Sequence, residues 1–541
     1  MTSTVVVRRL ECLAPDQRAA ATAPPGPILC VAPAGSGKTT TLVARIAWLA
    51  ATGVDPATIC AITFNKRAAE ELGTRLAEAL SPLGLQPDAV RVRTFHALGR
   101  EILQSARRSV EPLVERMAIL RRIAPASGPA GWRRLDDAFS RLKLDLGVTA
   151  EEVASDPGAG SVGQAFVAYE AAVAETGGLD FDDLIVRALE TLEAEPGLLE
   201  RWRERCAHLL VDEVQDVDRS QLRLAFLLAA PANRIFLVGD DDQSIYGWRL
   251  ADVRRVLSLA DALPGLRRVD LETNYRCPRS VVDRSVSLIA HNRERFRKRI
   301  VARERATGRL VLAADASDET VRIHRVVTTW PEDGSTRAML ARTNRELLPA
   351  IIVALDLGIA FRAPDISLLL ESPEVERLLD EVRRGTRDGS PLLVRLASLR
   401  GAVGDRDDST DFSPAEISAA LLAWAAPYAD LESFAEAIAD RRHRLAELRR
   451  DDALLTFATA HATKGLEFDH VAVIGLEAGR FPNARALTDA ADPARALEEE
   501  RRLAYVAWTR ARRSLTLLYD PAAASPFLLE AFSPEELGVQ P

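Results

Sequence analysis

The chain has 541 residues, 47% of them hydrophobic and 27% charged, with a net charge of −8 and a pI near 5.7. Domains typically run to ~100–200 residues, so three or four compact units with ample cores are expected of what reads as an ordinary soluble globular protein. No apolar run nears the ~20 residues that span a bilayer, so no membrane partner is expected, and the acidic balance confines any nucleic-acid path to a local patch.

At the N-terminus a short Val run precedes Arg8 and Arg9, the wrong order for a secretory signal, and cytoplasmic residence is the expectation. Cys12, Cys30, Cys60, Cys206 and Cys277 are scattered and form no CxxC pair, which argues for reduced, mostly core thiols rather than a zinc site or a disulfide framework. Of the 70 basic residues only five are lysine (Lys38, Lys66, Lys143, Lys298 and Lys464), leaving 65 arginines. Against that bias a retained lysine points to a need for a compact ammonium, which the planar guanidinium does not copy.

In chain order, Ile28–Val31 reads as a strand, residues 32–39 as a Gly-rich loop, and Thr40–Ala50 as a helix with Leu42, Val43, Ile46 and Leu49 at helical spacing. The same alternation returns at Ile59–Phe64 before Lys66–Leu80 and at Leu209–Val211 before Arg219–Ala229. It returns again at Ile235–Val238 before a polar loop, which argues for a parallel α/β sheet. Between 97 and 205 helical patterns such as Leu113–Ile123 and Val162–Glu175 replace strands. A second α/β block starts near Leu271, with apolar runs at Leu310–Leu312, Ala338–Leu340 and Val471–Ile474, and is interrupted by a helical region, 366–451, containing the acidic loop Gly404–Phe412. Trp48 and Trp424 read as core. The fold class is α/β, with two parallel-sheet cores each carrying a helical insertion.

Two patterns carry chemistry. Ala32-Pro33-Ala34-Gly35-Ser36-Gly37-Lys38-Thr39 fits a phosphate-binding loop, with Ala32 in place of the leading glycine. Its backbone N–H groups cradle the phosphates, Lys38 reaches the β and γ oxygens, and the Thr39 hydroxyl coordinates Mg²⁺. Downstream, Leu209–Val211 delivers Asp212 and Glu213 at a strand end, suited to a Mg²⁺ ligand beside a base that polarises the attacking water.

With these in place the chain resembles the superfamily 1A DNA helicases of the UvrD/Rep/PcrA type from about residue 13 to 514. The resemblance runs in order through Leu13–Gln17, the phosphate loop, Ile62–Lys66 with Ala68-Ala69, Thr94-Phe95-His96, Val211–Asp216 and Val238–Arg249. It continues through Asn274-Tyr275-Arg276, His461–Phe468 and Glu498–Arg512.

The resemblance implies two RecA-like P-loop NTPase cores: 1–96 with 203–270, and 271–365 with 452–541. The insertions are then 97–202 and a reduced 366–451. It implies an ATP- and Mg²⁺-dependent 3′-to-5′ helicase, monomeric in solution, acting on single-stranded and 3′-tailed duplex DNA, with repair or replication proteins as candidate partners.

For the nucleotide it implies Gln17 on the adenine edge, Ala34 to Thr39 around the phosphates, Tyr275 stacked on the base, and Glu467 at the ribose. Thr40 stands where relatives often carry an arginine as the other side of that stack, so the pattern departs from the family's at the adenine. Gln243 would touch the γ-phosphate or the attacking water, and Arg276 and Arg510, both assigned to the second core, would act as paired arginine fingers. For DNA it implies base stacking by Phe64, Tyr246 and Trp248, with Asn65, Thr94, His96, Arg249, His461 and Lys464 as contacts; a core role for His96 and a structural or coupling role for His461 stay open. The shortened 366–451 insertion keeps a rival open, a DNA-stimulated ATPase that displaces proteins without processive unwinding. A degenerate P-loop binding module is disfavoured, because every residue of the hydrolytic set is present.

Overall fold

The computed structural model describes residues 4–86, 88–364, 366–384, 391–399 and 414–539; the acidic loop Gly404–Phe412 lies outside the described residues. The first sheet has six strands: β1 (Ile28–Val31), β2 (Ile59–Thr63), β3 (Arg91–Thr94), β4 (His208–Val211), β5 (Ile235–Gly239) and β6 (Arg267–Asp270). They lie in the order β3-β2-β4-β5-β1-β6, every neighbouring pair parallel. In β1, β2, β4 and β5 every residue is buried. Such strands are continuous apolar runs because helices cover both faces of a parallel sheet. The edge strands β3 (RVRT) and β6 (RRVD) are partly exposed and charged, which is why no apolar run announces them.

A parallel sheet of this kind binds ligands beyond the carboxyl ends of its strands. Here those ends deliver the phosphate loop after β1, Asp212 and Glu213 after β4, and Asp240 after β5.

Two short strands, β7 (Thr273–Asn274) and β8 (Val301–Ala302), pair in parallel beyond this sheet. The second six-stranded sheet comprises β9 (Arg309–Ala314), β10 (Arg337–Ala341), β11 (Phe361–Arg362), β12 (Leu455–Thr459), β13 (Phe468–Val473) and β14 (Ala511–Tyr519), in the order β11-β12-β10-β13-β14-β9. Two RecA-like α/β cores are thus present.

The chain divides into two compact units: residues 1–309 with 484–509 and 530–532, and residues 310–483 with 510–529 and 533–541. The division differs from the expected boundary at 270/271. Residues 271–309 stay with the first sheet because Asn274 bonds to the phosphate loop, and the helix Arg279–Ile289 packs on the helix Pro493–Trp508.

Packing also narrows the first insertion. Leu98, Ile102 and Leu103 of the helix Phe95–Ser105 and Leu184, Ile185 and Ala188 of the helix Asp183–Ala194 join the core against the sheet. Only the middle of the insertion has its own core, around Trp132, Phe139, Phe166 and Tyr169. In the second insertion the helices Pro373–Arg384, Leu392–Leu399, Pro414–Ala425 and Leu431–Leu448 enclose a separate core, including Val375, Leu396, Leu421 and Phe434. Trp424 packs partly buried against it, and Trp48 against the N-terminal cluster of Val6, Leu10 and Leu13. Cys12 is exposed, and the other four cysteines are buried free thiols. Among the described residues no helix is long and apolar enough to cross a membrane.

Candidate functional site

The phosphate loop turns through two glycines in the left-handed region, Gly35 at φ 68° and Gly37 at φ 84°, and Gly37 is the N-cap of the helix Lys38–Ala51. Both are held from outside. A Cβ on Gly35 would sit 2.8 Å from Cβ of Arg276, and one on Gly37 would sit 2.6 Å from Nε2 of Gln17, so a side chain at either position collides as well as straining the backbone. The Ser36 hydroxyl is buried and makes no hydrogen bond. A buried hydroxyl without a partner in a loop of N–H donors at a helix start fits a phosphate oxygen.

Lys38 Nζ lies 3.2 Å from Glu213 Oε2. Burial opposes its charge, but Glu213, Asp240 and Asp212 outweigh that and hold the ammonium above its ordinary range. Glu213 itself adopts φ 52°, ψ 44°, a left-handed conformation uncommon for a non-glycine residue, and its N–H donates to Asp212 Oδ1 at 2.9 Å. Burial, then the Glu213 charge, push Asp212 up to about 7. A buried carboxylate under that penalty, on the strand end beside the loop that carries Thr39, fits Mg²⁺, which takes one or two protein oxygens and completes its shell with phosphates and water.

From Glu213 a hydrogen-bonded path runs to Gln243. Gln215 Nε2 donates to Glu213 Oε2 at 2.5 Å, the Asp240 N–H donates to Gln215 Oε1 at 3.0 Å, and Gln243 Nε2 donates to Asp240 Oδ2 at 2.7 Å. The structure therefore places Lys38, Asp212, Glu213 and Gln243 in one first-unit cluster.

Arg276 joins it, which revises its assignment to the second core. The Asn274 side chain donates to the Ala34 carbonyl at 2.8 Å and accepts from the N–H groups of Arg276 and Cys277, while the Tyr275 N–H donates to the Gly35 carbonyl at 2.8 Å. Arg276 Nη1 reaches the Thr509 carbonyl at 3.2 Å. Tyr275 is 37% exposed, open for stacking on a base, and Thr40 is exposed. Gln17 is buried, its amide committed to the Ser36 carbonyl at 2.8 Å and the Ala14 N–H at 3.2 Å. The second unit holds Arg510, buried and donating to the Leu466 carbonyl, and Glu467, exposed and 3.3 Å from Arg512.

Beyond Gln243 the chain enters the aromatic loop. Phe64 and Tyr246 stack at 5.1 Å and 13°, Tyr246 meets Trp248 edge-on at 6.1 Å, and the Arg249 guanidinium lies 4.5 Å from the Trp248 ring centre. Trp248 is 55% exposed, as its polar loop implies. Three expected DNA contacts have local duties. Asn65 caps the helix Lys66–Leu80 through the Ala68 N–H, Thr94 caps the helix Phe95–Ser105 through the Ala97 N–H, and His96 stacks on Phe181 at 3.9 Å.

Burial pushes His96 down to about 4, although Asp182 and Asp180 oppose it. His461 is also brought down to about 4, by burial and then by Arg342 and Lys464. Both rings are neutral near pH 7, so they can offer a phosphate a neutral N–H but no charge.

Sequence reading missed Asn274 as the link between its motif and the phosphate loop. It also missed the exposed Phe181 against His96, and Arg342, whose charge acts with that of Lys464 on His461. Phe181 lay inside an insertion read only for helices, and Arg342 is one arginine among 65.

A family model described as the UvrD/REP helicase N-terminal domain matches residues 13–264, and one described as the UvrD-like helicase C-terminal domain matches 417–521. The chain is 27% identical to DNA helicase II of Escherichia coli, over 94% of this chain and 84% of that protein. It is 28% identical to the ATP-dependent DNA helicase PcrA of Leuconostoc citreum (91% and 80% covered) and 26% identical to that of Bacillus subtilis (94% and 82%). With both domain models matched in order and the phosphate loop, acidic strand end and Gln243 assembled in one cluster, the chain belongs to the UvrD-like DNA helicase family.

Proposed function

We propose that this helicase hydrolyses ATP with Mg²⁺ to translocate 3′ to 5′ on single-stranded DNA and to unwind 3′-tailed duplexes in repair or replication maintenance. The observation that carries the proposal is continuity. The hydrogen-bonded path from Lys38 through Glu213, Gln215 and Asp240 ends on Gln243, three residues before the stacked Tyr246, so hydrolytic groups and the base-stacking loop share one short segment.

In this reading Thr39 and Asp212 would hold Mg²⁺, which would supply positive charge against the phosphates. Lys38 exchanges Glu213 for the β and γ oxygens, which frees the Glu213 carboxylate to polarise water. Gln243 orients that water, and Arg276 supplies guanidinium charge beside the phosphate loop. Arg510 has the same proposed role from the second unit. Phe64, Tyr246 and Trp248 grip bases at about 1–3 kcal/mol each, without sequence preference.

The test is strand displacement on 3′-tailed and 5′-tailed duplexes beside DNA-stimulated ATPase. Displacement of the 3′-tailed substrate alone is expected, and Lys38→Ala should remove both activities. Preference for the 5′ tail would overturn the polarity, and turnover by Lys38→Ala would overturn the site.

A second reading, translocation that strips proteins without processive unwinding, draws on the small second insertion with its own core. Robust ATPase without displacement would favour it.

A further inference from the structure

Two of the five lysines lie outside the motifs that carry the resemblance, and both sit in cages of three carboxylates. Lys143 Nζ is 2.8 Å from Glu170, 3.0 Å from Asp180 and 2.7 Å from Asp183. Lys298 Nζ is 2.8 Å from Asp240 Oδ1 and 3.0 Å from Asp242 Oδ2 and contacts Asp241 Oδ1, with all four side chains completely buried. An ammonium has three diverging N–H bonds and satisfies three separate carboxylates. A guanidinium instead spreads its N–H donors over a plane: Arg295 forks onto Asp242 with Nε at 2.8 Å and Nη2 at 2.7 Å, and Arg116 and Arg480 each reach three carboxylates through more than one nitrogen. Around Lys298 the three carboxylates close on a single, completely buried nitrogen, a compact charge that an ammonium supplies and a broader guanidinium does not copy.

The Lys298 cage adjoins the ATPase path. Asp240 gives Oδ1 to Lys298 and Oδ2 to Gln243, so the ion pair fixes the carboxylate that aims the amide. Asp241 also accepts from the Phe296 N–H at 2.7 Å. The segment bearing Arg295 and Lys298 is tied in turn to the helix Pro493–Trp508. Asn292 donates to the Glu498 carbonyl, and the Arg293 and Glu294 N–H groups donate to the Glu498 carboxylate at 2.9 and 3.1 Å. That helix ends at Thr509, whose carbonyl receives Arg276. The cage thus joins the strand end leading to the stacking loop to the segment that holds Arg276.

We propose that Lys298 is a positioning residue of the ATPase, a tripod that locks Asp240 so that Gln243 is oriented, and that it sets how strongly DNA on the Tyr246–Arg249 loop stimulates hydrolysis. The inference rests on the DNA-dependent ATPase reading above. Removing one partner of a buried charge cluster costs several kcal/mol, so charge-preserving Lys298→Arg is the decisive variant and Asp240→Asn the second.

Steady-state ATP turnover is measured with and without oligo(dT), together with the melting temperature. Lys298→Arg is expected to lose about tenfold or more in DNA-stimulated kcat, with the KM for ATP within twofold of wild type. In a Gln243→Ala background the same change should cost less than twofold, because its route is already cut. Should Lys298→Arg fail to fold, Asp240→Asn must show the same loss of kcat at constant KM and the same absence of a further cost in Gln243→Ala. Wild-type DNA stimulation in the variant that folds, or losses that multiply in the double variant, would overturn the inference. A wild-type protein whose ATPase ignores DNA would overturn the parent reading instead.

Discussion

Glu213 shows how the site is set residue by residue. Its left-handed backbone turns the carboxylate out of β4 toward Lys38, a conformation retained because both neighbours are fixed: Asp212 accepts its N–H and Gln215 donates to its side chain. His96 is held more by burial than by partners, and this has a pH signature. Its folded-state value, about 4, lies below the ordinary 6.5, so between those limits the unfolded chain binds a proton that the folded chain refuses. The stability His96 contributes as a neutral ring is therefore present above pH 6.5 and lost as the pH falls through that window, by about 1–2 kcal/mol at pH 5 given partial solvent access. The melting temperature of the wild type minus that of His96→Gln should fall as the pH drops from 7 to 5. A difference that stays flat would show that the imidazole is charged in the folded state.

At the scale of elements, strands of the first sheet were legible where burial is complete, whereas β12 and β14 of the second sheet, buried at most positions, were not read as strands. β1, β2, β4 and β5 are apolar at nearly every position because helices cover both faces, whereas β3 and β6, at the edges, keep arginines that bury little and so carry no apolar signal. The site followed the same logic. Lys38, Asp212 and Glu213 announce themselves by local order, but Asn274 acts on Ala34 from 240 positions away, a pairing that only the fold creates. Asn274 is 2% exposed and serves three backbone groups, so Asn274→Ala leaves the Ala34 carbonyl and the Arg276 and Cys277 N–H groups without it. Each orphaned buried group costs about 1–3 kcal/mol. The dissociation constant of a fluorescent ATP analogue should consequently rise about tenfold or more. Asn274→Asp, which restores the acceptor but not the donor, should fall between. Unchanged nucleotide affinity in the alanine variant would show that the Tyr275-Arg276 segment holds its place without the staple.

For the whole molecule, a net charge of −8 sets the terms on which a polyanion can bind. Of the expected DNA contacts, His96 and His461 are neutral near pH 7, and Asn65 and Thr94 carry no charge, which leaves Arg249 and Lys464, with Arg342 near His461 as a third cation. On the proposed contacts, affinity rests chiefly on stacking at Phe64, Tyr246 and Trp248, which salt scarcely screens. Each single-strand phosphate neutralised contributes about −0.7 to the slope of log K against log salt, so two or three cations predict a shallow slope of about −1.4 to −2. Fluorescence anisotropy with labelled oligo(dT) over a salt series reads this directly. Lys464→Ala should flatten the slope by about 0.7 and weaken binding equally for every sequence, whereas Trp248→Ala should cost about 1–3 kcal/mol and leave the slope unchanged. A slope steeper than about −4 would require a broad basic track and would refute a grip made mainly of aromatic rings.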